Sequence, residues 1–168
     1  MALVAATLAS GLASMAPTDN ESAAIQAFVD AWEIYFDKSS VGGIAAIPGS
    51  YSAALSAMAS AMSGCSETGQ GAAKIGAALA AFWSSLSSVA AAVWVTAPVV
   101  LVPPVVPPPS LAGVSGAVSA VFGSNTTGQV TLSQSAQNLA NALHASAGIG
   151  GLIPGSTPPA PPAPIPIL

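Results

Sequence analysis

The chain has no arginine, and its 168 residues include only two lysines, one histidine and one cysteine. Without basic clusters it lacks the usual means of neutralising phosphates, which argues against a nucleic-acid partner. A single cysteine, Cys65, excludes an internal disulfide, and the expectation is an unpaired thiol in a loop. One histidine, one cysteine and scattered acids do not supply the converging ligands that a metal site needs. Charge of either sign is scarce. Charged residues make up 5% of the chain, against about a quarter in an ordinary soluble domain. All of them, Asp19 to Lys74, lie in the first half; from Ile75 onward the one ionisable side chain is His144. So little charge does little to keep copies apart in water, so the surface is expected to be covered by protein or by lipid. Aromatic residues are also few, at 5%. The core should therefore consist of closely spaced backbones with large side chains at intervals.

The same scarcity leaves no plausible catalytic constellation. A nucleophilic triad needs a base, and His144 sits beside Leu143 on an expected helix, where a core-edge or helix C-terminal role fits better. Asp30 with Glu33, and Glu33 with Asp37, share a helical neighbourhood, but that pattern is the ordinary one for a solvated face. No glycine-rich loop ends in Gly-Lys-Ser or Gly-Lys-Thr. The chain is read as a non-enzyme, with no catalytic, cofactor-binding or metal-ligating residue nominated.

What the sequence does carry is helical periodicity. Leu8, Leu12 and Met15 mark a short first helix, and no Lys or Arg precedes it to make it a secretory signal. After Pro17, Thr18 and Glu21 have capping-box spacing. Ile25, Phe28, Val29, Trp32, Tyr35 and Phe36 then recur every three or four residues, opposite acidic positions. That amphipathic helix is expected to end near the glycine pair Gly42-Gly43. A short helix around Tyr51, Leu55, Met58 and Met62 precedes a long one from Gly71 to Trp94. In the long helix Ile75, Leu79, Phe82, Leu86, Val89 and Val93 form a seam. Its other side holds Ala, Gly and Ser, so burial all round is expected. Two further helices are marked by Leu111 to Phe122 and by Ala136, Leu139 and Leu143.

These six pieces suggest one theme used three times, a short helix, a polar hinge and a longer helix. Thr18 and Thr68 are spaced as Ile25 and Ile75 are, and Ile-Pro-Gly-Ser recurs at 47–50 and 153–156. The fold expected is all-α: two helical hairpins over 1–97, a proline-rich linker over 98–109, a third hairpin over 110–153 and a proline-rich arm over 154–168. The two proline tracts are read as stiff extended segments, the last ending in apolar residues suited to docking on a neighbour.

The segments AALAAFWSSL, ALHASAGIGG and PPAPPAPIPIL resemble the small Ala- and Pro-rich virion proteins of tailed bacteriophages, which fill gaps between larger capsid, neck or tail proteins. The resemblance is one of style across the chain. It implies a structural subunit in a virion or other large particle, partnered by larger structural proteins and by copies of itself. Trp32, Phe36, Trp83, Trp94, Ile165, Ile167 and Leu168 would then be contact anchors, since large apolar groups dominate interfaces. The alternative is a small membrane pore-former or lysis protein, because residues 75–102 are uncharged and long enough to span a bilayer. Against it, Ser84, Ser85, Ser87 and Ser88 cluster mid-stretch, and no Lys/Arg flank fixes an orientation. A third reading is a carrier of an apolar ligand between helices.

Overall fold

The computed structural model describes residues 3–15, 18–41, 44–93, 105–106, 111–125, 130–147, 151–152 and 165–166. Among them are six helices: α1 (Ala5–Ala13), α2 (Glu21–Phe36), α3 (Ser52–Ala61), α4 (Gly71–Val93), α5 (Leu111–Asn125) and α6 (Leu132–Ala147). The architecture is all-α, with five two-residue strands at its margins. The pairs α1–α2, α3–α4 and α5–α6 are in contact, as consecutive helices with short connections should be.

Local chemistry sets the helix ends. Asn20 is the N-cap of α2, its side-chain oxygen accepting from the Ala23 N–H at 3.1 Å, while Thr18 Oγ1 accepts from the Asn20 N–H. This corrects the expected Thr18–Glu21 capping box. With the helix beginning at Glu21, Asn20 holds the capping position, and the Glu21 carboxylate turns instead to the Gly64 N–H and the Ser66 hydroxyl. At α6, which begins at Leu132, a capping box does form. Thr131 Oγ1 accepts from the Gln134 N–H, and Gln134 Oε1 accepts from the Thr131 N–H at 2.9 Å. After α2 the chain runs into a two-stranded antiparallel pair, β1 (Ser40–Val41) and β2 (Ile44–Ala45), which flanks the glycine pair expected to end that helix. Gly42 and Gly43 themselves lie outside the described residues.

The helix packing continues past the three pairs. α4 also lies against α5, α2 touches α3, and α6 packs along α1 more extensively than α2 does. Each helix thus contacts the next, and the last returns to the first, closing a ring. Small residues bring two neighbouring backbones together. A Cβ added to Gly11 of α1 would lie 2.9 Å from the Ala31 Cβ and 3.2 Å from its Cα, so α1 and α2 touch backbone to backbone. Gly76 of α4 instead leaves room for the Ser115 side chain of α5, whose hydroxyl an added Cβ would overlap.

The long helix is not concealed all round. Ile75, Ala78, Leu79, Phe82, Trp83 and Leu86 are buried, whereas Ala73, Ala77, Ala80 and Ser84 are exposed. Its seam faces the ring's interior, and alanine and serine cover the opposite side. Among the described residues no helix is long and apolar enough to cross a membrane.

The described parts of the two proline tracts lie together. β3 (Val105–Val106), β4 (Gly151–Leu152) and β5 (Ile165–Pro166) form one antiparallel sheet in that order, with Val105 opposite Leu152 and Leu152 opposite Ile165. β3 also lies against α4. At these positions the tracts pair with their own chain. The rest of both tracts lies outside the described residues.

Candidate functional site

The largest side chains converge on α2. Trp32, Tyr35 and Phe36 have no solvent exposure, and neither do Phe82 and Trp83 of α4 or Tyr51 at the start of α3. Their rings meet mostly edge to face. The Phe36 and Phe82 centroids are 4.9 Å apart, Phe36 and Tyr51 5.0 Å, and Trp32 and Phe82 5.7 Å. Trp32, Phe36 and Trp83, expected as contact anchors, are therefore core residues of the chain itself and offer no surface to a partner in this conformation. Trp94, Ile167 and Leu168 lie outside the described residues, and of Ile165 only the backbone pairing is described.

Two polar clasps hold this core. Tyr35 Oη and His144 Nδ1 are 2.7 Å apart, and their rings stack edge to face at 5.9 Å, tying α2 to the last turn of α6. The Tyr51 hydroxyl donates to the Asp37 carboxylate just past the end of α2. Sequence reasoning grouped both tyrosines with the apolar core and missed these contacts. A usable signal existed: a buried phenol needs a polar partner, and the second half of the chain has one ionisable side chain. At the other end of α2, the Ser66 hydroxyl and the Gly64 N–H hold the Glu21 carboxyl below its ordinary range. Cys65 is half-buried beside that contact, and burial raises its thiol pKa. Trp32 Nε1, Trp83 Nε1 and Ser39 Oγ are buried with no hydrogen-bond partner among the described residues, where an unpaired polar group costs about 1–3 kcal/mol.

Burial raises the pKa of both tyrosines far above the ordinary 10.0; at Tyr51 the Asp37 contact adds to the effect. The folded chain therefore keeps two phenolic protons that the unfolded chain loses once the pH passes 10. Stability is fully present below that pH and falls above it, by about 1.4 kcal/mol per pH unit for each tyrosine, with a smaller contribution from Cys65. Urea unfolding between pH 9 and 12 should show this decline, and Tyr35→Phe should cut its slope by about half. A flat profile would contradict the buried-phenol arrangement.

The acidic face of α2 takes part in local contacts. Asp30 accepts from the Gln26 amide one turn earlier, and Asp37 serves Tyr51. Among the described residues no three potential metal ligands gather.

Among the described residues an apolar concavity opens on the surface. It lies where α1, α2, α4, α5 and α6 come together, has a volume of about 290 Å³, and includes Leu12, Phe28, Ile75, Phe122 and Leu139 in its walls. Leu132 and Phe122 leave 67% and 37% of their surfaces in solvent at this place. Searches against protein-family models, curated proteins and solved structures returned no match to this chain.

Proposed function

We propose that this chain is a non-enzymatic structural subunit of a large particle, a phage virion component that fills and fastens contacts between larger capsid, neck or tail proteins and copies of itself. The observation that carries this reading is the outward face of α5. Gly113, Gly116, Ala117 and Ala120 are exposed there, and no charged residue occurs anywhere in the helix. A Cβ added to Gly113 or Gly116 would meet nothing within 4 Å, and neither glycine adopts a positive φ. Each costs about 1 kcal/mol of helix stability relative to alanine, and among the described residues no contact offsets that cost. Close approach of a neighbouring subunit's backbone would offset it, because glycine lets two helices meet without side chains between them.

The exposed Ala73, Ala77, Ala80 and Ser84 of α4 support the same reading with a second uncharged, flat surface. Under it the ring of helices is the filler. The finer division into three stacked hairpins with a linker and an arm belongs to this proposal as well. The test is to enlarge Gly113 and Gly116. Assembly should suffer while the isolated chain stays folded.

A further inference from the structure

We propose that the apolar concavity where five helices converge is a binding site for one small uncharged molecule, hydrocarbon in character and about twice the size of benzene. Three observations carry this. The volume of about 290 Å³ is roughly twice that of a 150 Å³ apolar cavity known to take benzene. Among the described residues no charged side chain lines it, and the polar side chain in its wall is Ser135, so a charged ligand would lose its hydration with no counter-charge to replace it. Leu132 and Phe122 keep apolar surface in water side by side in its wall, where one ligand can reach both. A ligand seated in the concavity would cover both.

The position follows from the fold. Ring closure brings the first turns of α4 and α6 beside the last turn of α5, and residues of α1 and α2 line the concavity from the other side. Sites between helices of a bundle are a common place for apolar ligands. This site is independent of the assembly proposal, because its walls include none of the exposed small residues of α4 and α5 that carry that reading.

The test is titration of the full chain with N-phenyl-1-naphthylamine, an uncharged dye that fluoresces in apolar surroundings. The expected result is saturable one-to-one binding that decan-1-ol displaces. Ser135→Phe should fill the hollow from its wall and weaken binding at least tenfold. Leu132→Asp, at an exposed first-turn position where an acid suits the helix, should weaken it several-fold with helix content unchanged. It also keeps the test decisive if Ser135→Phe fails to fold. Unsaturable binding, or binding unaltered in a folded variant of either kind, would overturn the site. So would dye binding that weakens as protein concentration rises, because a second copy would then be the occupant.

Discussion

Replacing Trp32 with alanine is expected to lower the stability of the isolated chain by about 3–5 kcal/mol. The indole has no solvent exposure and meets Tyr35 at 5.2 Å and Phe82 at 5.7 Å between ring centroids, so its removal opens a void between α2 and α4. A domain of this size is stable by about 5–15 kcal/mol in total, so the variant should be close to unfolding at room temperature. Urea titration followed by far-ultraviolet circular dichroism measures the change. A loss below about 1 kcal/mol would mean that Trp32 is not a core residue and would return it to the role of an interface anchor. The effect has to appear in the isolated chain, because an anchor matters only when the partner is present.

The second large effect is expected in assembly. Gly113→Gln with Gly116→Gln places two long side chains on the open face of α5, where an added Cβ meets nothing within 4 Å. Glutamine is the better helix former, so the isolated double variant should gain about 1 kcal/mol in stability. Its incorporation into the particle should fall at least tenfold, since two side chains would stand where a neighbouring backbone approaches. The opposite signs make the pair of measurements informative. A variant that is more stable and assembles normally would remove the observation on which the proposed function rests. A variant that is less stable would show that α5 is held by something other than its own helix propensity.

Helix positions were legible because an apolar stripe at a 3.6-residue period can be read from spacing alone. Ile25 to Phe36 and Ile75 to Val93 mark α2 and α4 closely, and the structure moves their ends by a few residues. The ring closure was not legible. Whether α6 packs on α5 alone or also on α1 depends on contacts between segments far apart in sequence, and Leu143 or Ala140 would show the same pattern either way. The role of the aromatics was misread for a related reason. A tryptophan at helical spacing looks the same whether it faces its own core or a partner. Scarcity should have decided it, because a chain whose apolar residues are mostly alanine and valine needs Trp32, Phe36, Phe82 and Trp83 to fill its own interior. Tyr51 and Glu21 make contacts governed by turn geometry, which no periodic pattern encodes.

The central claim is that this chain works as a packed subunit of a large particle. Gradient sedimentation of native source material tests it most directly, run with and without mild detergent and followed by mass spectrometry of this chain. The expected result is co-sedimentation with a large particle that detergent does not disturb, alongside the larger proteins it contacts. Recovery as a free small species, or release from a membrane fraction by detergent, would contradict it.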